Sequence, residues 1–167
     1  MTMNIKELTI IVAALAKPRG FKRKGTMFYA TGTETTAMLH LQKSRWDSGV
    51  YVNTGVLPNA MCVRKYPPSV GYWMMQDRAY EIASPFKEYF LWLGSGDDRD
   101  FENDAPVEAF GWLLDWLAQQ YLDARALTET VRAGPFHNER GILEDWVRGE
   151  LQPPRSYWPA TPYYRDQ

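Results

Sequence analysis

The chain is poor in the side chains that most catalytic and redox chemistry requires. Among 167 residues, Cys62 is the single cysteine, and His40 and His137 are the two histidines. One cysteine excludes an internal disulfide, a thiolate zinc site and a CxxC redox pair. A Ser–His–Asp or Cys–His site needs a base within hydrogen-bond reach of its nucleophile. His40 falls in the middle of a strand pattern and His137 in a turn beside Pro135, so neither is expected to serve as that base. A phosphate-cradling GxxxxGK[ST] is missing, and Gly94-Ser95-Gly96 is too short to replace it. The acidic run Asp97, Asp98, Asp100, Glu102, Asp104 lacks the ligand order of a calcium loop. No cofactor, metal site or catalytic residue is expected, and the chain is expected not to be an enzyme. Nor is there a run of the ~20 apolar residues that a membrane helix needs. Leu8–Leu15 has polar interruptions and no signal-peptide pattern, so a cytoplasmic location and no membrane partner are expected.

What the chain does have is ordinary globular composition, 45% hydrophobic and 23% charged, with a rich aromatic content of seven Trp and ten Tyr. Large rings bury large areas, so most are expected in a core and a minority on a binding face. The net charge of −1 divides unevenly. Residues 1–80 hold eleven Lys/Arg and four Asp/Glu, a balance of +7; residues 81–167 hold eight and sixteen, a balance of −8. Folding of a single domain is expected to mix the two halves. One α+β domain over residues 1–150 is predicted, followed by a Pro- and aromatic-rich extension over 151–167.

Periodicity supplies the elements. Asn4–Glu7 is a capping box, and Ile5, Leu8, Ile11, Val12 and Leu15 share one helical face until Pro18 and Gly20 stop the helix. Thr26–Thr31, Thr35–Lys43 and Val50–Leu57 read as strands joined by short turns, hence an antiparallel meander. Lys22, Arg23 and Lys24 read as a solvated surface turn. Pro58–Gly71 reads as a surface loop, Arg78–Ala83 and Glu88–Leu93 as two further strands, with a buried helix end as the alternative for Tyr89–Leu93. Gly94–Asp100 reads as an exposed loop. One long helix is expected from Asp104 to Arg132, then a short one from Asn138 through Val147. Prolines in the last segment argue against helix there and for an extended strap, or an arm that docks on a partner. The fold class is therefore α+β, an antiparallel sheet of four or five strands packed against the N-terminal helix and the long C-terminal-half helix.

The densest pattern is Gly20-Phe21-Lys22-Arg23-Lys24-Gly25, then Phe28, Leu41-Gln42-Lys43-Ser44 with Trp46, then Asn53-Thr54-Gly55-Val56. In order and spacing this resembles a bacterial family catalogued as domain of unknown function 4304. The likeness runs over roughly residues 4 to 130 and is densest over 20–56; Asn59–Arg78 matches less well and the tail resembles an addition. The resemblance implies an α+β domain without assigned chemistry and, by analogy with small domains encoded beside toxins, an immunity-type or inhibitory role.

Residue by residue the block has structural work to do. Gly20 suits a left-handed helix end with Phe21 folding back on it. Gln42 and Asn53 are placed to hydrogen-bond across neighbouring strands. The functional reading is a partner-binding rim made of Lys22, Arg23, Lys24, Gln42, Lys43, Ser44, Trp46 and Asn53. A protein partner is the first expectation. Nucleic acid held by the Lys17–Lys24 patch with Lys43, Arg45 and Trp46 is the alternative, opposed by a pI near 6.1. An enzyme would instead need a pocket holding His40 with Gln42 or Asn53.

Overall fold

The computed structural model describes residues 3–62, 77–97, 101–134 and 141–157. Helix α1 (Ile5–Ala16) begins with both halves of the capping box: Asn4 Oδ1 accepts from the Lys6 and Glu7 amides, and the Asn4 amide donates to Glu7 Oε2. Gly20, at φ 80°, ends the turn that follows, and the Phe21 amide closes back on the Ala16 carbonyl. A five-stranded antiparallel meander comes next, in spatial order β1-β2-β3-β4-β5. Its strands are β1 (Lys22–Lys24), β2 (Met27–Thr31), β3 (Thr35–Lys43), β4 (Val50–Pro58) and β5 (Asp77–Arg78). The mixed α+β class and the sheet agree with expectation.

Directly paired residues share a face. Phe28, Ala37, Leu39, Leu41, Val52 and Val56 lie on one face and are buried there. Helices α1 and α4 (Ala105–Tyr121) pack on each other and on β3, and the Thr35 hydroxyl donates to the Tyr121 carbonyl at 2.5 Å. Burying the Phe28, Leu39, Leu41, Val52 and Val56 side chains supplies about 1.5–3 kcal/mol each, which is what holds the helices to the sheet. The opposite face is covered too at Met38 and Leu57, but opens towards the end of β3 and the start of β4, where Gln42 is exposed. Asn59 ties off the far end: its amide group donates to the Gly32 and Thr33 carbonyls and accepts from the Thr36 hydroxyl.

Six expectations need correction. Lys22–Lys24 is an edge strand, because Gly25 at φ 63° lets Gly25-Thr26 turn the chain so that Lys24 pairs Met27. Three consecutive charges carry no alternation from which a strand could be read. The segment 78–83 keeps only Arg78 in β5 before the one-turn helix α2 (Ala79–Ile82), and Glu88–Leu93 lies in α3 (Lys87–Ser95). Tyr89, Phe90, Trp92 and Leu93 are buried together at helical spacing, and Gly94 and Ser95 extend that helix rather than a loop. The single long helix is broken. It ends at Tyr121 and α5 (Ala124–Ala133) restarts from Asp123, whose carboxylate caps the Ala126 amide at 2.7 Å. After α6 (Ile142–Arg148), the tail forms one helical turn, α7 (Pro154–Tyr157). Proline is tolerated there because a first turn needs no proline N–H. Asp98–Asp100, His137, most of the Pro58–Gly71 loop and Trp158–Gln167 lie outside the described residues.

Candidate functional site

One register row crosses the whole sheet: Lys24 on β1, Met27 on β2, His40 on β3, Asn53 on β4 and Arg78 on β5. Gln42 and Tyr51 are the neighbouring pair on the same face. The Asn53 side chain, 7% exposed, donates from Nδ2 to Gln42 Oε1 at 3.0 Å, the cross-strand amide pair read from the sequence. The same Nδ2 lies 3.4 Å from His40 Nδ1, which accepts in the tautomer protonated on Nε2. Burial, reinforced by the Arg78 charge, pushes the His40 pKa down and favours this neutral ring. The Arg78 guanidinium lies over the Tyr51 ring, 4.3 Å from its centroid.

The other predicted rim residues fall beside this row. Lys22 and Lys24 share its face, whereas Arg23 and Lys43 point to the helix side of the sheet by strand alternation. Arg23 Nε donates to the Gly25 carbonyl at 2.8 Å, bracing the edge turn. Ser44 is buried and serves the hairpin: its hydroxyl accepts from the Trp46 amide at 3.2 Å, and its amide donates to the Gly49 carbonyl at 2.8 Å. Trp46 is 91% exposed at the tip. That hairpin is anchored. The Gly49 amide donates to Asp47 Oδ1, the Ser48 hydroxyl to the Gly96 carbonyl, and Gly49 packs against the Gly94 backbone. Both hairpin turns, Gly25-Thr26 and Arg45–Gly49, lie at the same end of the sheet.

Sequence reasoning missed Arg78 and Tyr51, and grouped His40 with Gln42 or Asn53 only as the pocket an enzyme would need. The parity of β3 and β4 places His40 opposite Asn53, but the two-residue β5 carries no alternation that would announce Arg78. Cys62 is no reactive thiol: burial pushes its pKa up to about 11. Of the Lys17–Lys24 patch, Arg19 is already committed, through Nε and Nη2, to the Asp115 carboxylate. Among the described residues no three His, Cys, Asp or Glu side chains group as a metal site, and no helix is long and apolar enough to cross a membrane.

With this geometry in place, comparison with known proteins adds one relationship. Residues 12–79 match the family model of a domain of unknown function, DUF4304. Over that segment the resemblance drawn from motif order holds. The DUF4304 segment contains all five strands, the His40–Asn53–Arg78 row and the Trp46 hairpin, and stops before α3. No curated protein and no solved structure matches the chain.

Proposed function

We propose that the protein is a non-enzymatic binding protein of the bacterial cytosol, of immunity or inhibitory type, that docks a protein partner with the hairpin end of its sheet. The observation that carries this reading is Trp46, an indole left almost wholly in water on a hairpin that is fixed at its base. A rigidly presented Trp is the kind of anchor that dominates interface energies, because it buries a large area while losing little conformational entropy. Lys43 and Arg45 precede it in the chain, are exposed, and form no ion pair with a described residue. The partner surface that fits is an apolar pocket with an acidic rim.

The test is capture from the native host with the tagged wild-type chain, Trp46→Ala and Arg45→Glu in parallel. A stoichiometric protein recovered by wild type, lost with W46A and weakened with R45E is the expected result. Recovery of no stoichiometric protein, together with turnover of a substrate in a broad activity screen, overturns it. A second reading rests on the same ring: an exposed Trp preceded by two cations in the chain is also a stacking platform for single-stranded nucleic acid. The Arg19–Asp115 pair shrinks the basic patch behind it, which favours protein. A steep loss of oligonucleotide affinity with rising salt would favour nucleic acid instead.

A further inference from the structure

On the row face of the sheet, Arg78 stands out as a cation without a counter-charge among the described residues. Its guanidinium contacts the Tyr51 ring but makes no hydrogen bond or ion pair with any described residue. Nη1 is buried and has no hydrogen-bond partner among the described residues. A buried donor left unpaired costs about 1–3 kcal/mol, more on a charged group, and calls for an explanation. The described residues sharing this face are Lys22, Lys24, Met27, Tyr29, Thr31, Thr36, Met38, His40, Gln42, Tyr51, Asn53, Gly55 and Leu57, and none of them is acidic. Asp77 is one residue from Arg78, but strand alternation sends it to the other face with Thr54. Glu81, the acid next in sequence, spends Oε2 on the Arg78 backbone amide at 3.1 Å.

The neighbours of the guanidinium are donors waiting for an acceptor. With Asn53 Nδ2 donating to Gln42 and facing His40 Nδ1, the His40 Nε2–H and the Gln42 amide NH₂ remain available. Planar stacking on Tyr51 pre-orients the guanidinium fork, which matches two oxygens of one planar group. Lys22 and Lys24 stand on β1 at the opposite edge of the sheet, so Arg78 is the one cation beside these neutral donors; that suits a monoanion, whereas a phosphate would recruit a second cation.

We propose that Arg78, stacked on Tyr51 and flanked by His40, Gln42 and Asn53, is a binding site for a single carboxylate group. The site is independent of Trp46 and stands whether or not the hairpin docks a partner. The carboxylate is supplied either by a free organic acid or by an acidic side chain.

The test is an NMR titration of isotope-labelled full-length protein, following the Arg78 Nε–H, the His40 ring and the Asn53 side-chain amide. The probes are propionate, a blocked Gly-Glu-Gly peptide, phosphate and chloride, at matched ionic strength and pH 7. Saturable shifts of all three groups with propionate, the peptide or both are expected, with little response to chloride. Propionate binding as tightly as the peptide assigns a free acid; preference for the peptide assigns a side chain. Arg78→Lys keeps the charge but loses the fork, and should weaken binding about tenfold or more. Tyr51→Leu removes the platform and should weaken it as well, with amide dispersion reporting that each variant is folded. Tighter binding of phosphate, shifts no larger than those with chloride, or undiminished affinity in folded R78K overturns the assignment. Loss of partner capture in W46A leaves these shifts unmoved, so the two ideas fail separately.

Discussion

Gly49 offers a sharp test of how the Trp46 hairpin is held. Its conformation does not demand glycine; the space does. A Cβ at position 49 would lie 2.9 Å from the Gly94 carbonyl carbon, closer still to its oxygen, and 2.8 Å from Asp47 Oδ1. Two of those atoms are backbone of α3, so no flexible side chain can swing away. Gly49→Ala must therefore lift the hairpin off the end of α3 or displace the helix end. Overpacking of this kind costs about 1–3 kcal/mol. In a chain of 167 residues each kcal/mol moves Tm by about 2–4 °C, so a fall of about 2–12 °C is expected. Thermal unfolding followed by circular dichroism measures it. Hydrogen exchange at the Ser44 amide, which donates to the Gly49 carbonyl at 2.8 Å, reports whether the loss is local. A Tm within 1 °C of wild type, with Ser44 protection intact, would refute the claim that Gly94 and Gly49 are locked together.

Other substitutions carry opposite or pH-dependent signs. Gly111→Ala, in the interior of α4, should stabilise by about 0.5–1 kcal/mol in urea unfolding, because its Cβ meets only Arg19 Nη2 at an ordinary 3.6 Å while helical glycine is unfavourable. Tyr121→Phe should leave stability unchanged or raise it by up to about 1 kcal/mol, since the buried hydroxyl has no hydrogen-bond partner among the described residues and burial drives its ionisation far above the usual tyrosine range; a loss of more than about 1 kcal/mol would mean that it bonds to nearby Thr54. His40 should make stability fall on acidification. Its folded pKa lies below the unfolded value near 6.5, so below that pH the unfolded chain binds the extra proton; the contribution is complete at neutral pH and is lost as pH drops through 6.5 towards the folded pKa. Urea midpoints at pH 7.5 and 5.5 should therefore converge in His40→Gln relative to wild type.

Local signals carried most of the sheet and little of its second half. The α1 cap, the turn at Gly20, the nine-residue β3 and the Gln42–Asn53 pair were all readable, because each is decided within a few residues or by one strand register. The break at Leu122–Asp123 was not: apolar spacing runs on through α4 and α5, and only the Asp123 cap marks the restart. α3 was hidden for another reason. A five-residue apolar run fits a buried strand or a buried helix, and the choice depends on tertiary contacts such as the edge-to-face packing of Tyr89 and Phe90 with Phe110. Arg78 was invisible as a site residue because its place follows from pairing with Asn53, a long-range fact.

The extent of the family segment separates the two candidate surfaces. The carboxylate row draws every member from residues 24–78, inside the matched stretch 12–79, so its geometry is built by the sheet itself. The Trp46 hairpin also lies inside, but its anchors Gly94 and Gly96 belong to α3 and its cap, beyond the match. Presentation of Trp46 therefore depends on how the sheet is joined to the rest of this chain, whereas the Arg78–Tyr51 stack takes its register from β4 and β5, with Gly94 of α3 set against the Tyr51 ring. A relative that keeps the sheet but carries a different segment after residue 79 would retain the donors of the row and lose the rigid indole. On this reasoning the donors of the row come with the sheet, whereas a rigidly held indole at position 46 also requires the end of α3.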